Sequence, residues 1–142
     1  MKNLILNIIL LISFFMNSQS IDLLNIEKNI GLDNWNIVND DVMGGISTSY
    51  LSINDEKNLI FNGNLSLENN GGFASSRLGL KKNILKGVKS FIIRIKGDGN
   101  SYKLRLSQDN RRASYSANFK SINDEWIDVS ISIEDFIATW RG

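Results

Sequence analysis

The sequence predicts an all-β fold, a sandwich or a barrel, on three observations. Segments alternating apolar and polar residues recur through its second half, and Gly, Asn and Asp clusters separate them. Each such strand has one apolar face, which needs a second layer to cover it. With 142 residues the chain is long enough for one domain with a real core.

The opening segment stands apart. Met1-Lys2-Asn3 precedes an almost wholly apolar run from Leu4 to Met16, and Asn17-Ser18-Gln19-Ser20 follows. One positive charge, a short apolar run and small residues at Ser18 and Ser20 match the three regions of a secretory signal peptide. A comfortable membrane span needs about 20 residues, and an uncleaved anchor or a buried first helix is the weaker reading. Residues 1–20 are therefore expected to be a signal peptide, residues 21–142 the β domain, and the protein exported, periplasmic or extracellular. Membrane contact is expected only through the signal segment, if it stays uncleaved.

Ile21 to Leu32 carries Ile21, Leu23, Leu24 and Ile26 among polar residues, as a short helix or an edge segment would. From Trp35 the character changes to short strands. Ile46 to Ile53 and Leu59 to Leu67 read as strands joined by a turn at Asn54 to Asn58. Later strands are clearer. Phe91, Ile93 and Ile95 share one face of 91–96, and Tyr102, Leu104 and Leu106 one face of 102–107. Tyr115, Ala117 and Phe119 share a face of 114–119, and Ile127, Val129, Ile131 and Ile133 a face of 126–133. Gly97-Asp98-Gly99-Asn100 reads as a hairpin turn between the first two of these. Asp109-Asn110-Arg111-Arg112 and Asn123-Asp124-Glu125 link the next ones.

Composition excludes several function classes. The chain holds 16 Lys plus Arg against 15 Asp plus Glu, too little basic surplus for nucleic-acid binding through phosphate contacts. Cleavage after Ser20 would remove Lys2 and leave 15 of each sign. The sequence has no Cys and no His, which excludes thiolate nucleophiles, Ser-His-Asp triads, His bases and the usual zinc sites. It also excludes disulfides, although an exported domain could form them.

The residues between the strands carry a family resemblance. Trp35 is followed by Asp41-Val42-Met43-Gly44-Gly45-Ile46-Ser47. Then come Phe61-Asn62-Gly63, Glu68-Asn69-Asn70-Gly71-Gly72-Phe73-Ala74-Ser75-Ser76-Arg77 and Lys96-Gly97-Asp98-Gly99-Asn100-Ser101-Tyr102. Ser114-Tyr115, Phe119, Trp126, Asp135-Phe136 and Arg141-Gly142 continue the series. In this order they resemble the complex I intermediate-associated protein 30 (CIA30) family over about the last three-quarters of the chain. The resemblance implies a jelly-roll β-sandwich like galactose-binding domains, and a non-enzymatic binding or assembly-factor role without cofactor. Eukaryotic members of the family assist assembly of respiratory complex I. The family's domain runs past the arginine-glycine pair through further strands. The expectation here is thus a fragment, or a sheet incomplete at its C-terminus with an unpaired edge. Export also departs from the mitochondrial role of the eukaryotic members.

Several residues invite a functional reading beside a structural one. Gly44-Gly45 and Gly71-Gly72 could shape a ligand loop, but tight turns and close packing are the favoured reading. No Lys-Ser/Thr follows either pair, so neither is a phosphate-binding loop. Gly72 and Gly97 are expected at backbone conformations that a Cβ would strain. Asn39, Asp40, Asp41 or Asp98 could bind calcium; the favoured reading is that Asx residues here bond their own backbone, with Asp40 fixing the loop after Trp35, and that no metal is bound. Gly99 belongs to the same turn as Asp98. Glu68 and Asp98 form no convincing glycosidase pair, and no catalytic residue is assigned. Arg77, Arg94 and Arg105 lie on polar strand faces. If the strands of Arg94 and Arg105 pair as a hairpin, those two share a face, which Arg77 joins through the family's fold. Such a face would suit a carboxylate, a sugar or an acidic partner, and reads equally well as a solvated outer face with scattered charges. Trp35 is expected in the core, and Trp140 has the best claim to exposure and binding. A protein partner is the leading expectation, with carbohydrate binding as the alternative.

Overall fold

The structure is a computed structural model, and it describes residues 20–24, 32–108 and 113–140. Among these the chain is all-β, with nine strands and three short 3-10 turns. It divides into two compact units, with the boundary in the chain between Gly79 and Leu80. No helix among the described residues is long and apolar enough to cross a membrane. Most of the segment expected to be a short helix or edge, and the proposed signal run, lie outside the described residues.

The first unit holds strands β1 (Trp35–Asn39), β2 (Thr48–Ile53), β3 (Leu59–Asn64) and β4 (Ala74–Leu78). β1 pairs antiparallel with β4, and β2 with β3. The β2–β3 hairpin follows the sequence reading. Its turn closes through Asn54: the Asn58 amide donates to the Asn54 side chain at 2.8 Å, and the Lys57 amide to the Asn54 carbonyl at 3.0 Å. Both strands are shorter than expected. β2 starts only at Thr48 and β3 ends at Asn64, because Ser47 and Ser66 leave the ladder to bond one another: the Ser66 amide donates to the Ser47 hydroxyl at 2.9 Å. The Ser49 hydroxyl, on β2, donates to Asn39, the last residue of β1, at 2.6 Å. Trp35 opens β1 half-buried, opposite Leu78.

The second unit holds β5 (Ser90–Lys96), β6 (Ser101–Ser107), β7 (Ala113–Lys120), β8 (Trp126–Ser132) and β9 (Ile137–Trp140). β5 pairs with β8, while β7 lies between β6 and β9, all antiparallel. The chain therefore changes sheet at 97–100, at 121–125 and at 133–136. The alternation seen in the sequence sets the register: Phe91 lies opposite Ile131, Ile93 opposite Val129, and Ile95 opposite Ile127. These six form one apolar face of the β5–β8 sheet. Ile131 and Ala117 are the most deeply buried apolar residues. The Phe91 and Phe136 rings pack 5.6 Å apart, and Tyr102 stacks on Phe119 at 5.9 Å.

Two sequence expectations fail here. Gly97–Asn100 is no hairpin turn, since β5 and β6 belong to different sheets. It is a corner, anchored by a parallel bridge between Gly97 and Asn123. Ile133 does not continue the β8 face, because the strand stops at Ser132. Ser132 caps a 3-10 turn, its hydroxyl accepting from the Glu134 amide at 3.3 Å and its amide donating to Asp135 at 2.9 Å. Ile133 is left exposed.

Candidate functional site

The most concentrated polar chemistry of the first unit gathers on Asp40. It begins a 3-10 turn, Asp40–Met43, directly after β1. Its side chain is completely buried. Oδ1 accepts the Ser47 amide at 2.8 Å; Oδ2 accepts the Ser47 hydroxyl at 2.5 Å and the amides of Gly72 and Phe73 at 2.6 and 3.3 Å. Burial alone would push this carboxyl upward. The Ser47 hydroxyl and the amides of Gly72, Ser47 and Phe73 outweigh it and hold the group below its ordinary value. Asp40 therefore stays ionised and ties three loop segments together.

The two glycine pairs are explained by this carboxylate. In each pair one member supplies a left-handed backbone and the other supplies room. Gly44 has φ +87° and Gly72 φ +123°. A Cβ on Gly45 would overlap the Asp40 carboxyl group, and one on Gly71 would sit 2.5 Å from Oδ2.

Three of the four residues weighed as calcium ligands, Asn39, Asp40 and Asp41, lie here, and each faces protein donors. Asp40 is saturated by four bonds, Asp41 accepts the Val42 amide at 3.0 Å, and Asn39 accepts the Ser49 hydroxyl at 2.6 Å. Ser47 and Ser66 were not singled out from the sequence. Their signal was the position of Ser47 at the end of the glycine-glycine-x-serine run.

A second polar corner lies in the second unit, where β5 leaves its sheet. Asp98 Oδ1 accepts the Asn100 amide and the Tyr102 hydroxyl, both at 2.9 Å, and Oδ2 accepts the Asn100 side-chain amide at 2.8 Å. The Asn100 amide and side chain, with help from Tyr102, hold the Asp98 carboxyl at about 2 against an ordinary 3.8. Burial, then the nearby Asp98, pushes the Tyr102 hydroxyl up. Ser121 is buried behind this turn. Its hydroxyl accepts the Gly99 amide and donates to the Asn100 carbonyl, both at 3.0 Å. Gly97 is not among the positive-φ glycines of the described residues. The expectation of a strained backbone there is corrected: Gly97 is needed because its Cβ position falls inside the Ser121 side chain. Lys96 and Asp124 close the outer side with an ion pair of 2.7 Å. A depression of about 450 Å³ opens beside the corner, lined by Gly99, Lys120, Ser121, Ile122, Asn123 and Ile127.

The strands of Arg94 and Arg105 do not pair as expected. Arg94 on β5 and Arg105 on β6 lie in different sheets, because the Gly97 corner carries the chain away from β5. Arg94 faces Asp128 at 3.7 Å and lies 5.8 Å from the centre of the Trp126 ring. Arg105 is exposed opposite Ser116. Arg77 belongs to the first unit, exposed on β4, its Nε donating to Ser75 at 3.3 Å. Trp140 ends β9, and the exposure expected of its side chain lies outside the described residues.

The described residues form an all-β fold of small antiparallel sheets, consistent with a β-sandwich, with the Asp40 and Asp98 corners in its loops. The model of the Complex I intermediate-associated protein 30 (CIA30) family matches residues 24–142, and the chain belongs to that family. A search of curated proteins returns no match.

Proposed function

We propose that this chain is a non-enzymatic binding module of the assembly-factor type, exported and acting on a protein partner outside the cytoplasm. The observation that carries this reading is the family match over residues 24–142, in a family described by its association with a complex I intermediate. Two further observations support it. The sequence has neither His nor Cys, which removes the commonest catalytic bases and nucleophiles. Asp40 and Asp98 accept bonds from protein donors rather than standing free. Export is supported by the Leu4–Met16 run with Ser18 and Ser20 behind it.

Native-gel fractionation of envelope extracts, with the chain followed by mass spectrometry, tests the proposal. The chain is expected to migrate with a larger complex and its deletion to change how that complex accumulates. Migration as a free monomer throughout, with no change on deletion, would overturn the assembly reading. Retention on a glycan array would instead point to carbohydrate binding. The N-terminus tests export separately: a new start near Ile21 is expected, and an intact Met1 on the soluble protein argues against it.

A further inference from the structure

We infer that Asn70–Gly71 is a site of spontaneous deamidation, and that its isoaspartyl product unlatches the Asp40 corner. Two Asn-Gly pairs occur in the sequence, Asn62–Gly63 and Asn70–Gly71. Glycine after asparagine removes the side chain that would otherwise shield the backbone nitrogen from the asparagine amide. Flexibility then decides which pair reacts.

The two pairs differ in their settings. Asn62 lies within β3 opposite Tyr50, and Gly63 is pressed against Thr48 and Ser49 of β2. The ladder holds that backbone extended, away from the ring-closing geometry. Asn70 ends a three-residue 3-10 turn at the surface, and both Asn69 and Asn70 have left-handed backbones, φ +55° and +60°. The Gly71 amide makes one turn bond, to the Glu68 carbonyl at 2.9 Å, which local fraying can open. Asp98–Gly99 could isomerise by related chemistry, but that route needs a protonated carboxyl, and the Asp98 oxygens are held as a carboxylate by Asn100 and Tyr102.

The chemistry balances without a cofactor. The Gly71 nitrogen attacks Asn70 Cγ and closes a five-membered succinimide. The Asn70 side-chain nitrogen leaves as ammonia, taking the proton that the Gly71 nitrogen gives up. Water then opens either ring bond to give aspartate or isoaspartate. Isoaspartate adds one carbon to the main chain immediately before Gly71. That segment has no slack: a Cβ on Gly71 would already lie 2.5 Å from Asp40 Oδ2, and the next two amides are the donors at 2.6 and 3.3 Å. Lengthening the loop displaces Gly72 and Phe73 from the carboxylate. Either product also places a new negative charge on the segment that latches a buried one.

The test is ageing of the purified full chain at neutral and mildly alkaline pH, followed by peptide mapping with isoaspartyl methyltransferase labelling. Thermal unfolding of the same samples is measured in parallel. A synthetic peptide of residues 64–76 provides the unfolded reference rate. Label is expected in the Asn70 peptide, faster at higher pH, with the melting temperature falling in step. Asn70→Gln should lose both changes. Asn70→Gly, which suits a left-handed backbone and has no amide, serves if the glutamine variant folds poorly. Asn62→Gln should leave both changes in place. Three results would overturn the inference: faster conversion at Asn62, an intact Asn70 once the peptide has converted, or isoaspartate at position 70 with an unchanged melting temperature.

Discussion

Ser47 gives both of its donors to one carboxylate: its amide meets Asp40 Oδ1 at 2.8 Å and its hydroxyl meets Oδ2 at 2.5 Å. The same hydroxyl oxygen accepts the Ser66 amide at 2.9 Å. One small side chain therefore satisfies a buried anion and a neighbouring loop at once. Ser47→Ala removes a donor from Asp40 and an acceptor from Ser66 together. The expected loss is about 1–3 kcal/mol, the cost of leaving buried polar groups unpaired, read as a lower urea midpoint. An unchanged midpoint would mean that water replaces the hydroxyl.

The adjacent glycines should fail for different reasons. Gly44 has φ +87° and open space at its Cβ position, so Gly44→Ala suffers backbone strain alone, on the order of 1–2 kcal/mol. Gly44→Asn should recover part of it, because Asn tolerates the left-handed region. Gly45 abuts the Asp40 carboxyl group, so both Gly45→Ala and Gly45→Asn should overpack and lose about 1–3 kcal/mol or more. Thermal melts of the four variants separate the two causes; equal rescue by Asn at both positions would contradict the assignment.

At the second corner a coupled pair is expected. Gly97→Ala drives a methyl group into Ser121, and Ser121→Gly removes the obstacle at the loss of its own hydrogen bonds. The double variant should be more stable than the sum of the single losses predicts, by roughly 0.5–3 kcal/mol. Additive effects in a double-mutant cycle would show that the two residues do not press on each other.

Acid should weaken the protein in a defined window. The Asp98 carboxyl titrates at about 2 when folded against an ordinary 3.8. Between those values the unfolded chain binds more protons than the native one, so the contribution is complete above 3.8 and is lost as pH falls toward 2. Asp40 and Asp124 are displaced in the same direction, by the donors around Asp40 and by Lys96 beside Asp124. Urea midpoints should therefore fall with acidification, and Asp98→Asn should flatten that fall. A variant with the same acid slope as the wild type would remove Asp98 from the account.

Arg94 and Arg105 should act independently, since they stand in different sheets. The Arg94–Asp128 pair is long, 3.7 Å, and both side chains are largely exposed. Arg94→Gln and Arg105→Gln should each change stability by no more than about 0.5 kcal/mol, and their effects should add. Coupling between them in equilibrium unfolding would restore the shared face that the sequence suggested.

Strand identity was legible in the sequence because period-two alternation is a local property. Phe91, Ile93 and Ile95 on β5, and Ile127, Val129 and Ile131 on β8, had to face one way whatever their partners were. Turn chemistry was legible for the same reason: the Asn54 and Asp98 side chains accept backbone amides no more than four residues ahead. Even the structural role of Asp40 could be stated from its place after Trp35.

Strand partnership was not legible, because it depends on groups distant in sequence. A Gly-Asp-Gly-Asn turn is compatible with a hairpin, and only the approach of Ser121 to Gly97 turns it into a corner that sends β6 to another sheet. The reason that Gly45 and Gly71 are glycines was hidden too. Gly45 lies five residues after Asp40, and its amide bonds the Asp40 carbonyl at 2.9 Å, but only the fold aims the carboxyl group at it; Gly71 lies 31 residues after Asp40, and four hydrogen bonds from three residues bring the two together. Local alternation in the sequence marked β2, β3 and β5 to β8 as strands and the Gly, Asn and Asp clusters between them as turns; it did not delimit β1, β4 or β9. Tertiary structure settled which strands pair and which side chains Gly71 and Gly97 yield to, since both depend on contacts between residues far apart in sequence.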